Sequence, residues 1–514
     1  FNRLAFCQPI EGLFWLGVYP CRGWLLPVAV KNNTEIFLYL VQKRVRLCNF
    51  ATKFSTSIRM VPVQTIKKGL DIKLKGKAAL ETTTVGCVER WSMTPADYHG
   101  LIPKVVVKEG DAVKAGSPLM VDKQRPDIQF VSAVSGTVTA VVRGDKRALL
   151  NIVVKPDLRT DYLSFPKENP LDLSPETVKA RLCEAGLWPY IKQRPYDVIA
   201  NPETTPRAIF VSGFDTAPLA PEYAYILKGQ GADLQTGFNA LTKLTPGLVF
   251  LSLPDPCDAA ELKGVQGVEF CTFKGPHPAG LVGVQINHIA PLNKGELVWT
   301  IDLLDVLFIG RLFNQGRVDL TRQVAVTGPE VVKPAYVRCL PGTPISTLVD
   351  GNVHKEIPLR YINGNPLSGS RVSADGFLGA YATQLTVLHE GTDTHEMLGW
   401  VMPRFNLFST SRTYFTWLTK WLVPGKVFEP DTRVLGGERT LIMSGEYDRV
   451  FPMDILPEHL VRACVTNDLE RMEQLGLYEV APEDFALCEF VCTSKIEVQR
   501  VIREALDLLK KENG

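Results

Sequence analysis

The 514-residue sequence predicts an α+β multidomain protein, and three observations carry that expectation. Single cores rarely grow beyond about 250–300 residues, so the length asks for several domains. Residues 65–155 read as short strands punctuated by glycine, whereas from residue 174 strands alternate with helical stretches. The 45% hydrophobic and 22% charged fractions are ordinary for folded protein, which argues against a largely disordered chain.

Residues 1–64 are expected to be a non-native or disordered extension, with Met60 near the natural start. The stretch opens on Phe1 and shows no steady period. It also lacks the basic start, apolar core and small-residue cleavage site of a secretory signal. Residues 65–160 form the all-β module. "TIKKGLDIKLKG" (65–76) alternates like a strand, "IPKVVVKEGDAVKAGSPLMVDK" (102–123) is two strands around a turn with Gly110 and Gly116, and "RALLNIVVKP" (147–156) closes the set. So many short strands imply a small flattened barrel.

Residues 161–322 read as an α/β layer. Ser174 caps a helix over 174–188, "RAIFVSGFD" (207–215) and "GLVFLSL" (247–253) are buried-type strands, and 221–244 is helical with interrupting glycines. The alternation requires some parallel pairing. Short strands and turns return over 323–399, around a helix start at Pro344. Residues 400–514 are mixed and end in the amphipathic helix "KIEVQRVIREALDLLKK" (495–511).

A net charge of +2 is too small to argue for a nucleic-acid partner. No window reaches the roughly 18 apolar residues of a spanning helix; the nearest, "LVWTIDLLDVLFIG" (297–310), is broken by Asp302 and Asp305. Eleven scattered cysteines without paired spacing point to a reducing compartment.

Four stretches invite a chemical reading. Lys123 follows Asp122 on a hairpin of the kind on which lipoyl and biotinyl domains present a modified lysine. Here, however, "QRPD" (124–127) lengthens the tip and Pro126 has no N–H for a ladder, so an unmodified scaffold is expected. "KGQGADLQTG" (228–237) resembles a phosphate-cradling loop, but Asp233 would oppose an anion, and a structural turn is the better reading. "HEGTDTHE" (389–396) offers His389 and His395 without a defined third ligand, so a solvated hairpin is expected rather than a metal site. His277, held between prolines in "GPHPAGL", and His288, near the end of an expected strand, could hydrogen-bond a quinone carbonyl or support its protonation.

"TIKKGLDIKLKGK", "VDKQRPDIQFVSAVSGTV", "RGDKRALLNIVV", "GPHPAGLVG" and "LCEFVCTSKIEV" together resemble the A subunits of the bacterial sodium-translocating NADH:quinone oxidoreductases, over nearly the whole chain beyond residue 64. The resemblance implies a peripheral component on the cytoplasmic face of the bacterial inner membrane. Its partners would be the other subunits, especially the membrane-embedded B subunit, in a translocase that oxidises NADH, reduces ubiquinone and exports sodium. It also implies a lipoyl-like barrel-sandwich hybrid, a Rossmann-like layer without its flavin site, a β-grasp domain over 323–399 and a degenerate ferredoxin-like tail.

Relatives of that family, the C subunit of Rnf complexes and the flavin subunit of respiratory complex I, carry cofactors. The flavin subunit's phosphate loop resembles "GQGADLQTG" with glycine where this chain has Asp233, so loss of FMN follows. Ferredoxin clusters need C-x₂-C-x₂-C-x₃-C-P. Leu441, Ser444, Tyr447 and Phe451 stand at the four positions of one such frame, before Pro452. Pro482, Phe485, Cys488 and Cys492 stand at those of a second, before Thr493. Iron–sulfur binding is therefore expected to be lost. The chain alone should bind no cofactor and have no catalytic residues, with ubiquinone a possible substrate of the complex and His277 and His288 its quinone-proximal groups. A stand-alone carrier or soluble ligand-binding protein is the rival reading.

Overall fold

Short antiparallel strands build the first module. The computed structural model describes residues 63–513 except Cys87 and residues 393–401, 403, 406, 411–413 and 424; the expectations for 1–62 and for His395 lie outside the described residues. Trp91–Met93, Leu149–Pro156, Gly136–Arg143 and Ala112–Val113 form one small sheet, and Pro103–Val105, Pro118–Asp122 and Gln129–Val131 form another. Along Gly136–Arg143, Val138 turns inward between the exposed Thr137 and Thr139, so the period of two selects the buried face. Val113, Leu119, Phe130, Ile152 and Val154 fill the interior.

The strands expected to open this module go elsewhere. Gln64–Thr65 pairs in parallel with Glu269–Lys274, and Ala79–Thr84 pairs in parallel with Ala335–Cys339. Each adds an edge strand to a different sheet, while 66–76 contains no strand longer than a single bridge. Sequence period identifies an extended segment but not which edge it will pair with.

The α/β layer is a seven-stranded sheet ordered Gln64–Thr65, Glu269–Lys274, Leu248–Pro254, Ala208–Ser212, Val298–Asp302, Lys192–Arg194 and Val198–Ile199. Its central strands are parallel, with Phe210 beside Phe250 on one side and Thr300 on the other. The helix Leu303–Gln315 is buried at every position from Leu303 to Phe313, Asp305 and Arg311 among them. Asp302 starts it by accepting the Leu304 N–H at 2.8 Å.

That helix crosses the helix Gly231–Leu244 at glycines. A Cβ on Gly237 would lie 2.4 Å from the Val306 carbonyl oxygen, and one on Gly310 would lie 1.7 Å from that of Asp233. "KGQGADLQTG" is therefore largely helix rather than turn, and the glycine after Gln235 and Thr236 serves close packing. His288 is likewise corrected: it lies in the last turn of the helix Val282–Ile289, not on a strand.

A six-stranded sheet follows, ordered Ser370–Val372, Leu359–Asn363, Gln384–His389, Arg322–Thr327, Ala335–Cys339 and Ala79–Thr84. The tail packs the helices Pro457–Val465, Ala486–Val491 and Val498–Asn513 around Phe451, Leu460, Phe485, Cys488, Ile502 and Leu506. Residues from Val61 onward form one compact unit. Within it Arg194, 1% exposed, donates to Asp484 at 2.8 Å and to Glu483 at 3.1 Å, tying the α/β sheet to the tail.

Candidate functional site

In open α/β sheets, ligands bind beyond the carboxyl ends of the parallel strands, where the strand order reverses. Here the chain steps outward from Ala208–Ser212 through Leu248–Pro254 to Glu269–Lys274, then jumps back to Val298–Asp302 on the other side of the first strand. The reversal thus falls between Ser212 and Asp302.

Side chains fill that position. The Ser212 hydroxyl accepts from Gln285 Nε2 at 2.8 Å and donates to the Gly280 carbonyl at 2.9 Å. Thr216 Oγ1 accepts the Gly280 N–H at 3.0 Å and shares a hydrogen bond with His277 Nδ1 at 3.1 Å. The His277 N–H donates to Asp71 Oδ1 at 2.9 Å, and its carbonyl accepts the Leu70 N–H at 2.8 Å. Gly69 permits this crossing, because a Cβ there would lie 2.2 Å from the His277 oxygen and its φ is +146°. Burial pushes the His277 pKa down to about 4, so this ring is neutral at physiological pH.

Around the reversal point the groups are acidic. Tyr223 donates to Asp302 at 3.3 Å, Asp215 lies close enough to feel Asp302, and Asp305 pairs with Arg322 at 2.8 Å. Burial pushes Asp215 up to about 6 and Asp305 up to about 7, and raises Asp302 as well. Arg322 opposes the shift of Asp305 and itself stays cationic beside it. A phosphate at this edge would meet carboxylates and already-used donors, which does not fit a flavin phosphate site.

The glycine segment fits one no better. The Gly229 N–H, at the place where an anion would be cradled, already donates to Glu261 at 3.2 Å. Asp233 accepts from Asn314 at 2.8 Å with Arg311 3.9 Å away. A cavity of about 260 Å³ borders this helix start, lined among others by Lys228, Gln230, Asp233, Arg311 and Arg338, and neither His277 nor His288 reaches it. His288 is half-buried, donates from Nδ1 to the Val284 carbonyl at 2.9 Å, and stands edge-on to Phe273.

Residues of the two expected cluster-type frames meet inside the tail. Tyr447, third in the first frame, donates to the sulfur of Cys492, fourth in the second, at 3.0 Å. Phe451, fourth in the first, packs on Phe485, second in the second, with ring centroids 4.7 Å apart. All four are buried, as is Cys488, whose thiol is pushed well above its ordinary value by burial. Among the described residues no group of three or more His, Cys, Asp or Glu could hold a metal.

In the barrel, Lys123 is exposed on a loop running from Lys123 to Ile128 between the strands Pro118–Asp122 and Gln129–Val131. Its N–H donates to the Ile102 carbonyl at 2.8 Å, and buried Asp122 accepts the Gln124 N–H at 3.1 Å, so the lysine stands at the loop's base rather than at its tip. The contacts of His277 with Thr216 and Asp71 were not legible in the sequence, because nothing local marks a contact made across the sheet edge.

Fold and site together define a multi-module α+β protein whose strand ends and tail core are filled by its own side chains. Three family models match: the NqrA N-terminal barrel-sandwich hybrid domain over residues 64–157, the NqrA second alpha/beta domain over 173–318, and the NQRA C-terminal domain over 323–374. The chain is 36% identical to the A subunit of the Na(+)-translocating NADH-quinone reductase of Pasteurella multocida, over 87% of this chain and 99% of that one. It is also 36% identical to the same-named protein of Rhodopirellula baltica, over 88% and 98%. An NAD+-reducing NiFe-hydrogenase structure aligns at 11% identity and a TM-score of 0.30, covering 44% of this chain and 49% of that one. The chain belongs to the family of the A subunits of Na(+)-translocating NADH-quinone reductases.

Proposed function

We propose that this chain is a peripheral, cytoplasmic-side component of a sodium-pumping NADH:ubiquinone reductase. It would dock on the membrane-embedded subunits, most of all the B subunit, and contribute to the quinone-reduction region. Kinship over nearly the full length of relatives so named carries the reading. Among the described residues no helix is long and apolar enough to cross a membrane, which is compatible with a peripheral place. Catalytic power would belong to the assembled complex, because the crossed aromatic and thiol contacts of the tail and the carboxylate-lined strand ends argue against an electron carrier bound by this chain alone.

Within the chain we infer four modules: a barrel-sandwich hybrid over 65–160, a Rossmann-like layer over 161–322, a β-grasp domain over 323–399 and a degenerate ferredoxin-type tail over 400–514. His277 and His288 are the inferred quinone-proximal groups. His288 would be the imidazole open to a partner, and neutral His277 the one that fixes the turn beside it. Affinity capture of the tagged full-length chain from detergent-solubilised membranes should recover integral-membrane partners; recovery of none would sink the peripheral-subunit reading.

A further inference from the structure

We propose that the cavity of about 260 Å³ beside the start of the helix Gly231–Leu244 binds a small organic anion, with a carboxylate or phosphate head on a short carbon body. The inference goes beyond the peripheral-subunit reading and does not rest on it. The cavity lies where the α/β layer meets the six-stranded sheet. Lys228 and Arg311 come from the layer, and Arg338, opposite Gln323 on the strand Ala335–Cys339, comes from the sheet. Junctions between modules are a usual place for small-molecule sites. The volume is far above the roughly 15 Å³ that one water needs and below the about 300 Å³ at which drug-sized pockets begin, so the ligand is small.

Charge decides its sign. Two carboxylates line the cavity, and both are already held. Asp233 accepts from Asn314 at 2.8 Å with Arg311 3.9 Å away, and Asp319 accepts the Thr321 N–H at 3.0 Å. Arg311 is buried and fixed, donating to the Thr321 carbonyl at 2.5 Å and to Gln230 at 2.6 Å. Two further cations have no acid. Among the described residues the Lys228 ammonium has no ion pair and lies 5.7 Å from the Tyr225 ring, while the Arg338 side chain has neither a hydrogen bond nor an ion pair. Arg322, which also lines the cavity, is paired with Asp305. Lys228, Arg311 and Arg338 against Asp233 and Asp319 therefore leave one positive charge in excess.

That excess is felt inside the site. Burial lowers the Arg311 pKa, and the charges of Arg338 and Arg322 lower it further, against the opposing pull of Asp319 and Asp233. An anion placed among cations that repel one another relieves them. Ile226, Leu304 and Leu307 line the same cavity and suit a carbon body better than a bare ion. The site is not a flavin-type cradle: the Gly229 N–H stays on Glu261, and side chains rather than helix N–H groups supply the charge.

The test is isothermal titration calorimetry of the purified full-length chain with succinate, with glycerol 3-phosphate and, as a neutral control, with glycerol. At least one of the two anions should bind at a single saturable site, more weakly at high salt, and glycerol should not bind. Which anion binds tells a carboxylate head from a phosphate one. Arg338→Gln should weaken binding at least about tenfold, with an unchanged urea midpoint because the side chain is exposed and unpaired. Lys333→Gln, exposed just before the same strand but outside the cavity, should bind as the wild type does. No saturable binding of either anion up to about 10 mM, equal binding by Arg338→Gln, or an equal loss in Lys333→Gln overturns the assignment.

Discussion

The carboxyl edge of the parallel sheet and the core of the tail are closed in opposite ways. At the sheet edge the closure is polar: Thr216, His277, Ser212 and Gln285 are joined by hydrogen bonds and flanked by carboxylates. In the tail the closure is mainly apolar, with Phe451 on Phe485 and a single hydrogen bond from Tyr447 to Cys492. A polar closure depends on direction and protonation. An apolar one depends on volume.

Removing volume from the tail should have the largest effect. Phe485 is fully buried, so Phe485→Ala should cost about 3–5 kcal/mol in urea unfolding. A loss under about 1 kcal/mol would mean that the ring does not fill the frame.

The polar closure should answer to pH instead. The His277 pKa falls from 6.5 to about 4 in the fold, so its contribution is complete above 6.5 and is lost as pH drops through that interval. The stability difference between wild type and His277→Asn should therefore shrink on acidification, by up to about 3 kcal/mol. The difference is the quantity to measure, since raised carboxyls such as Asp215 and Asp305 act with the opposite sign over part of the same range. A difference that stays constant from pH 7 to pH 4 would falsify the assignment. The smallest change is Tyr447→Phe, which removes one buried hydrogen bond to a thiol and keeps the ring. It should cost only about 1 kcal/mol, and a cost near that of Phe485→Ala would erase the contrast between the two regions.

Much of this was legible in the sequence, for reasons that differ by region. The closing helix of the tail could be read because its apolar spacing is local to a few turns. The α/β layer could be read because Ser174 and the strands 208–212 and 248–254 carry caps and apolar runs within a few residues. His288 misled because "VGVQINHI" is short and alternates apolar with polar residues over Val284–Asn287, as a strand would. The opening strands misled because their partners lie more than 200 residues downstream. The Gly237–Gly310 crossing was equally hidden, since a glycine that admits a neighbouring backbone looks the same in sequence as one that makes a turn.

The segment from Gln64 to Thr84 carries one further consequence. It borders the α/β sheet at Lys274, passes over His277, bridges Phe428 from Leu74 and ends against Arg338 on another sheet. It leaves the ribosome before any of those partners exists, so it can take its place only after the rest of the chain has assembled. Its docking reports that the modules it joins have found one another.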